Sequence, residues 1–280
     1  MIKAILVCTD GSEYSRVACQ YALSLTQKLE AGLTGLHVLD SRMLEGPLMA
    51  DISGWIGAQP YGGQLQQFRE LLQQRGEAVI EAFLKQCKEA GVEASGSMKM
   101  GHPAKVIVTE ENKAELVIVG QRGEHADLTG DLMGSHAERI VRHSLKPCMV
   151  TPATHREIKH VLAAYDGSGH ASKALHEAIE LVKGAGMKLT VLTVGENLQE
   201  QDVNQVAEDG LQLARAHDVE ATSVVVEGNV MENILEKTGE LEADLITVGA
   251  YGHSRIHEML LGSTTTQLIA KADVPVMLVR

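Results

Sequence analysis

Short apolar runs alternate along the chain with stretches in which apolar residues recur every three or four positions. The runs at 4–7 (AILV) and 116–119 (LVIV) show no polar alternation, which is typical of strands buried on both faces of a parallel sheet. Residues 65–90 carry one apolar stripe at helical spacing and are followed by Gly91, a residue type that favours a helix C-terminus. The pattern therefore predicts buried strands covered by amphipathic helices.

This pattern predicts the same order of elements in both halves of the chain. In the first half it predicts strands at 2–8, 33–39, 93–100, 115–120 and 147–152, and helices at 13–30, 65–90, 103–113 and 135–144. In the second half it predicts strands at 158–164, 187–194, 219–227, 244–249 and 275–280. Strands that alternate with helices favour right-handed crossovers and a doubly wound sheet with helices on both faces.

The two halves are copies of one sequence. Residues 2–12 (IKAILVCTDGS) align with residues 158–168 (IKHVLAAYDGS), and this offset of 156 holds as far as Val38 and Val194. Later matches follow in the same order, at 114–120 with 243–249, 134–135 with 262–263 and 147–150 with 275–278. The sequence therefore predicts two tandem α/β domains, 1–153 and 157–280, each with a five-stranded, doubly wound parallel sheet.

The first domain carries a segment at 41–64 that the second domain lacks. It contains Trp55, the only tryptophan of the chain, together with Pro47, Pro60, Tyr61 and several glycines. Exposed apolar residues in an irregular segment indicate a partner surface or a lid. A loop that packs over its own domain is the alternative interpretation.

Charge and hydropathy exclude several classes of partner. The 280 residues carry a formal net charge of −12, and an acidic chain repels both nucleic acid and anionic membranes. No apolar run approaches the roughly 18–20 residues of a membrane span. The first residues reach an Asp too early for a signal peptide. We therefore expect a cytoplasmic protein with neither nucleic acid nor membrane as partner.

A glycine-rich pattern connects a strand to a helix in the second domain. Gly249 and Gly252 are followed, after nine residues, by Gly262 and Ser263, which gives G-x2-G-x9-G-S. Glycine lets a backbone approach phosphate closely, and a helix start offers unpaired amide groups and a positive dipole end. Ligands of doubly wound sheets bind at the carboxyl ends of the strands. The pattern predicts a phosphate site, and glycines that only shape a turn are the alternative.

The first two strands of each domain end in residues that suit an adenosine. The first strands end in Asp-Gly-Ser, at Asp10 and Asp166, where the Asp could bond a base or ribose and also cap a helix. The second strands end at Val38 and Val194, where a valine could pack on an adenine ring or only fill the core.

The first domain has a longer copy of the glycine pattern. Its glycines and serine are spaced by ten residues rather than nine, at Gly120, Gly123, Gly134 and Ser135. Three acidic residues within 124–131 add negative charge beside the expected phosphate path, and Arg122 could offset part of it. A reshaped loop without nucleotide is the alternative for this domain.

Several catalytic and metal-binding motifs are absent from the sequence. There is no G-x-x-x-x-G-K-[ST], no G-x-G-x-x-G and no G-x-S-x-G. The twelve histidines form no cluster with metal-ligand spacing, so we expect no metal site made by protein side chains alone. No general base or arginine finger is evident, and we expect at most a weak ATPase activity.

Taken together, these residues resemble the universal stress protein family in its tandem form, over nearly the whole chain. The resemblance rests on the Asp and Val pairs above and on Gly101-His102-Pro103 before the third helix. ATP-binding members carry G-x2-G-x9-G-[ST], which the second domain matches in full. The resemblance implies a Rossmann-like, adenine nucleotide alpha hydrolase-like fold. It also implies ATP or AMP as ligand, with Mg²⁺ or Mn²⁺ beside the phosphates.

The resemblance also implies which residues bind the nucleotide. In the second domain they are Tyr165, Asp166, Val194, Gly249, Gly252, His253, Gly262, Ser263 and Thr264. In the first domain, where the longer loop leaves binding open, they are Thr9, Asp10, Val38, Gly120, Arg122, Gly123, Gly134 and Ser135.

Pairing of the last strands, 147–152 and 275–280, is also implied and would make one chain a pseudo-dimer. Such pairing would cover two apolar edges. Whether chains pair further into a homodimer, and which protein partner they meet, stays open.

Three functions fit the sequence: a nucleotide-binding stress-response or regulatory protein, a slow Mg-dependent ATPase, and an interaction module with a vestigial first site.

Overall fold

The computed structural model describes residues 2–42, 61–123, 135–195, 200–249 and 263–280. The described elements of the first half are, in order, β1 (Ala4–Cys8), α1 (Glu13–Leu29), β2 (Gly32–Asp40), α2 (Tyr61–Glu89), β3 (Ala94–Gly101), α3 (Pro103–Glu110), a 3-10 turn (Glu111–Lys113), β4 (Leu116–Gly120), α4 (Ser135–His143) and β5 (Cys148–Thr151). Those of the second half are β6 (His160–Ala164), α5 (Gly169–Ala185), β7 (Lys188–Gly195), α6 (Glu200–Ala216), β8 (Ala221–Glu227), α7 (Val230–Glu240), β9 (Leu245–Gly249), α8 (Ser263–Lys271) and β10 (Val276–Val279).

The elements fall where the hydrophobic pattern predicts them, with small differences at their ends. The helix predicted at 103–113 narrows to a 3-10 turn over its last three residues, and the helix predicted at 65–90 begins already at Tyr61. Residues 43–60, most of the segment at 41–64, lie outside the described residues. Its roles as a lid, a partner surface or a packed loop therefore stay predictions.

The first helices of the two halves begin with the same cap. The Ser12 hydroxyl accepts a hydrogen bond from the Ser15 amide, at 3.2 Å, and the Ser168 hydroxyl accepts one from the Ala171 amide, at 3.1 Å. Each cap satisfies an amide that has no partner within the helix. The Asp-Gly-Ser sequences thus start α1 and α5 immediately after the first strands.

All ten described strands form one sheet, in the order β3-β2-β1-β4-β5-β10-β9-β6-β7-β8. Neighbouring strands are parallel within each half, whereas β5 and β10 are antiparallel, with Met149 opposite Met277. The order 3-2-1-4-5 within a half is that of a doubly wound sheet, because the chain reverses direction across the sheet after β3. The predicted fold class of two tandem doubly wound α/β domains is confirmed.

Each face of the sheet is covered by its own helical layer. Buried side chains of α1, α2, α5 and α6 form one core cluster with the sheet, and those of α3, α4, α7 and α8 form the other. The central strands are buried on both sides for this reason. Among the described residues, no helix combines the length and hydropathy that crossing a membrane requires.

Candidate functional site

A cavity of about 110 Å³ lies at the carboxyl ends of β6, β7 and β9. In the sheet, β6 stands between β7 and β9, so the connections that leave β6 and β9 run to opposite sides at this point. Such a reversal of strand order is where doubly wound sheets open a crevice for a ligand. We call it the carboxyl-edge cavity; it is lined by Ala164, Tyr165, Asp166, Ser168, Ala171, Val194, Val230 and Gly249.

Asp166 lies in the tight turn between β6 and α5. Its Oδ1 accepts a hydrogen bond from the Ser168 amide, at 2.9 Å, and Gly167 between them has a φ of 77°, which favours glycine. The turn leaves the Asp166 side chain exposed at the rim of the cavity. Capping and ligand binding are therefore compatible here, since Ser168 caps the helix while Asp166 borders the cavity.

Gly249 ends β9 in close contact with the first turn of α5. A Cβ atom at this position would lie 2.8 Å from the carbonyl carbon of His170 and 2.9 Å from the amide nitrogen of Ala171. Only glycine therefore fits without a shift of the backbone. This glycine brings the end of β9 against the start of α5 and so forms one wall of the cavity.

Val194 and Val230 form the apolar wall. Val194 is half-buried near the end of β7, and Val230 is half-buried as the first residue of α7. Asn229 caps α7 by accepting a hydrogen bond from the Glu232 amide, at 3.1 Å. The cavity thus combines an exposed carboxylate on one side with aliphatic surface on the other.

Tyr165 borders the cavity, but its ring points into the core. A Cβ atom on Gly210 of α6 would lie 3.0 Å from Cδ1 of Tyr165, and the residue is only 8% exposed. The ring is thus packed beneath α6. The binding role predicted for Tyr165 stays a prediction, and its backbone is the part nearest the strand end.

The glycine pattern of the second half lies mostly outside the described residues. Gly252, His253 and Gly262 fall in residues 250–262, while Ser263 and Thr264 form the first turn of α8. The predicted helix start at the end of the pattern coincides with the start of α8. The binding roles predicted for these five residues stay predictions.

In the first half, the equivalent edge is built from the same turn. Asp10 Oδ1 accepts a hydrogen bond from the Ser12 amide, at 2.9 Å, as Asp166 does from Ser168. A Cβ atom on Gly123, however, would lie only 2.9 Å from Asp10 Oδ2. The backbone at Gly123 therefore lies directly against the carboxylate, and Asp10 is half-buried where Asp166 is exposed.

The segment that covers Asp10 is anchored on both sides. The Gln121 side chain donates a hydrogen bond to the carbonyl oxygen of Ile269 in α8, at 2.7 Å, so the second half holds it. The guanidinium carbon of Arg122 lies 5.9 Å from the centroid of the Tyr14 ring, a cation–π distance. These contacts fix the segment 120–123 over the end of β1.

Beneath this segment, the first half has a polar network at positions where the second half carries Tyr165, Ala171 and Thr193. The hydroxyls of Thr9 and Ser15 are 3.3 Å apart, and His37 Nδ1 donates to the carbonyl oxygen of Thr9 at 2.7 Å. All three residues are buried. Burial also raises the pKa of the adjacent Cys8 thiol. Thr9, predicted to bind nucleotide, thus has its hydroxyl engaged inside the protein.

The remaining residues predicted for the first site are divided between described and other positions. Val38 is half-buried near the end of β2, and a Cβ atom on Gly120 would lie 3.0 Å from the backbone of Tyr14. Ser135 is the first residue of α4, whereas Gly134 lies outside the described residues. The structure therefore brings the backbone of Gly123 close to the carboxylate of Asp10.

Comparison with known proteins agrees with this repeated architecture. The model of the universal stress protein family matches residues 1–152 and again residues 157–280. The chain belongs to the universal stress protein family.

Several universal stress proteins are similar to this chain over both of its halves. Universal stress protein Slr1230 of Synechocystis sp. is 32% identical over 290 residues, covering 100% of both chains. Universal stress protein Rv2005c of Mycobacterium tuberculosis is 27% identical over 300 residues, covering 99% of this chain and 96% of its own. The crystal structure of a universal stress protein from Archaeoglobus fulgidus aligns over 99% of this chain and 96% of its own, with a TM-score of 0.76 and 23% identity.

Four residues that line the carboxyl-edge cavity of this universal stress protein were not among the predicted site residues: Ala164, Ser168, Ala171 and Val230. Ser168 belongs to the Asp-Gly-Ser turn that the sequence marks. Ala164 and Ala171 lack polar groups, so no motif marks them. Val230 begins α7 directly after the Asn229 cap, at the carboxyl edge where ligands of doubly wound sheets bind, and that position was a usable signal. Gln121 also carries no motif, and its contact with Ile269 depends on how the two halves meet.

Proposed function

We propose that this universal stress protein binds one adenine nucleotide, ATP or AMP, at the carboxyl-edge cavity of its second half. The observation that carries the proposal is the position of this cavity at the reversal of strand order, between Asp166, Val194 and Gly249. Carboxylate on one wall and aliphatic side chains on the other are what a ribose and an adenine ring require. Family membership supports a stress-response or regulatory role for the bound state.

Asp166 would bind the ribose. A carboxylate can accept about four hydrogen bonds, and the Ser168 amide donates one of them to Asp166. The exposed position of Asp166 makes its carboxylate accessible from solvent. Val194 and Val230 would pack against the faces of the adenine ring.

The volume of the cavity limits which part of the nucleotide it can hold. About 110 Å³ is well below the roughly 300–1,000 Å³ of pockets that enclose a drug-sized ligand. We therefore infer that the cavity encloses the adenine base alone, and that the ribose lies at its rim beside the exposed Asp166. The phosphates would extend from Gly249 toward the first turn of α8, where Gly252, His253, Gly262, Ser263 and Thr264 would hold them.

Backbone amides at the start of α8 would provide the phosphate contacts. A helix start combines unpaired amide groups with the positive end of the helix dipole, and this needs no basic surface on a chain whose net charge is −12. Among the described residues, no group of three His, Cys, Asp or Glu side chains could hold a metal ion. Mg²⁺ or Mn²⁺, where present, would bind with the phosphates.

For the first half we propose a vestigial site. The closeness of Gly123 to Asp10 supports this, because a Cβ atom at Gly123 would lie only 2.9 Å from Asp10 Oδ2, which leaves little room for a ribose hydroxyl on that side. Gln121 and Arg122 hold that backbone in place. The two halves, joined as a pseudo-dimer through β5 and β10, would then carry one nucleotide between them. The cytoplasm is the proposed location.

Titration calorimetry of the full chain with ATP tests both parts of this proposal. We expect one nucleotide per chain, and we expect Asp166→Asn to weaken binding by roughly 10-fold or more, the usual effect of losing a hydrogen bond to a charged group. Asp10→Asn is the matched control, because both carboxylates accept the same amide bond at 2.9 Å. It should leave the affinity unchanged.

Three results would contradict the proposal: two nucleotides per chain, an Asp166→Asn variant with wild-type affinity, or no binding at millimolar ATP. The last would leave the interaction module as the function. Phosphate release from ATP above a no-protein control, lost in Asp166→Asn, would instead establish the slow ATPase.

A further inference from the structure

The amino ends of β1 and β6 are equivalent in backbone but different in side chain. Ala4 and His160 occupy the same position at the offset of 156. The Ala4 carbonyl accepts a hydrogen bond from the Glu115 amide at 2.9 Å, and the His160 carbonyl accepts one from the Asp244 amide at 2.8 Å. The two β-carbons therefore project into equivalent places, on the sheet face covered by α3, α4, α7 and α8.

In the second half, the His160 ring fills that place. Its Nδ1 donates to the carbonyl oxygen of Leu241, at 3.1 Å, and its Nε2 lies 2.8 Å from the Thr190 hydroxyl. The Thr190 hydroxyl is in turn 2.8 Å from the Thr222 hydroxyl. An imidazole ring is thus held between a strand hydroxyl and a carbonyl oxygen that follows α7.

In the first half, the hydroxyl pair is retained but the ring is missing. The Thr34 and Ser95 hydroxyls, the counterparts of Thr190 and Thr222, lie 2.9 Å apart. Ala4 has only a methyl group, and a groove of about 410 Å³ lies at this place. We call it the amino-edge groove; its polar and small lining residues include Ala4, Thr34, Glu93, Ser95, Glu110 and Lys113.

We propose that the amino-edge groove binds a small nitrogen heteroaromatic molecule of the imidazole type, in the place that the His160 ring fills in the second half. The Thr34 hydroxyl would bond one ring nitrogen, because a hydroxyl has one donor and two acceptor positions and the bond to Ser95 uses one of them. The groove lies at the opposite edge of the sheet from the carboxyl-edge cavity, so the two sites are independent.

The charges around the groove define the ligand further. Glu93 and Glu110 contribute two carboxylates and Lys113 one ammonium group, which lies 2.7 Å from Glu110. The excess of negative charge disfavours an anion and favours a neutral or cationic ring. The carboxylates of Glu93 and Glu110, which line the groove, can accept the N–H of the ligand. At about 410 Å³, the groove also has room for a bicyclic ring.

Imidazole itself is the probe, titrated into the full-length protein while backbone amide resonances are followed by NMR. We expect saturable shifts at Thr34 and Ser95 with a Kd on the order of 1 mM, as suits a ligand of this size. The amide of Ser168 at the carboxyl edge should not move. Shifts that are absent at Thr34 and Ser95, or that do not saturate, would overturn the proposal.

Two variants each give one half the side chain that the other half has at the same position. Ala4→His should place a ring in the groove and abolish the saturable shifts, whereas His160→Ala should create a second imidazole site reported by Thr190 and Thr222. Thr34→Val, which removes only the hydroxyl, serves if Ala4→His does not fold, and it should weaken binding. Wild-type affinity in a folded Ala4→His or Thr34→Val variant would disprove the assignment.

Discussion

The two halves of the molecule share one backbone fold, but their side chains and loops fill different edges of the sheet. At the carboxyl edge, Gly123 lies against Asp10 in the first half, while Asp166 stays exposed beside a cavity in the second. At the amino edge, the His160 ring fills the space beside Thr190 in the second half, while a groove lies beside Ala4 in the first half. A few side chains and one loop, rather than the fold, therefore decide where each domain can accept a ligand.

The two halves also differ in buried residues on the sheet face that α1, α2, α5 and α6 cover. Thr9, Ser15 and His37 form a hydrogen-bonded network, whereas the equivalent positions of the second half carry Tyr165, Ala171 and Thr193. A polar network needs every member satisfied, and a packed tyrosine ring needs a glycine opposite it, here Gly210. The end of the first strand is thus packed by hydrogen-bonded polar side chains in the first half and by a tyrosine ring in the second half.

The largest effect is expected at the seam where the halves meet. Met149 and Met277 are opposite each other on β5 and β10, and both are fully buried. Met149→Ala and Met277→Ala should each lower the free energy of unfolding by about 2–5 kcal/mol, from lost burial and the cavity left behind. Urea denaturation measures this. If the seam were symmetric in packing, the two costs would agree; a large cost in one variant alone would break the comparison.

A smaller loss of stability is expected in the first half alone, at Glu111 in the connection between β3 and β4. The carboxylate of Glu111, which is 1% exposed, accepts hydrogen bonds from the Ser144 hydroxyl at 2.6 Å and the Leu145 amide at 2.9 Å. Glu111→Ala leaves buried donors unsatisfied and should cost about 1–3 kcal/mol in urea denaturation.

The matched control for Glu111 lies in the second half. Glu240 occupies the equivalent position but forms a solvent-exposed ion pair with Lys237, and such pairs contribute little to stability. Glu240→Ala should leave the denaturation midpoint almost unchanged. Equal losses in the two variants would show that Glu111 does not act as a buried clamp.

The smallest effect is expected at the helix caps, where the halves should behave alike. Ser12→Ala and Ser168→Ala each remove one hydroxyl that caps the first helix, and each should cost about 1 kcal/mol. Thermal unfolding of both variants gives the comparison. A difference well above this value would mean that the Asp-Gly-Ser turn serves one half more than the other.

Much of the fold was predictable because each half is built from local patterns. Unbroken apolar runs such as LVIV mark strands buried on both faces, and the stripe of α2 marks a helix. The helix α3 shows a limit of this method, because its last turn tightens into a 3-10 turn that periodicity does not distinguish. The glycine pattern correctly places the helix start at Ser263, but the nucleotide roles of its residues stay predictions.

What the sequence determined by itself was the repeat, the parallel strands and the two Asp-Gly-Ser turns, since each can be recognised from short contiguous stretches of the chain. Only the tertiary structure decided that Gly123 lies close to Asp10, that Gln121 bonds to Ile269, and that a groove lies beside Ala4 where the His160 ring fills the space in the second half. Each of these involves atoms brought together from distant positions or from opposite halves. The space that remains between packed elements depends on the shape of every side chain around it, and no local pattern encodes that.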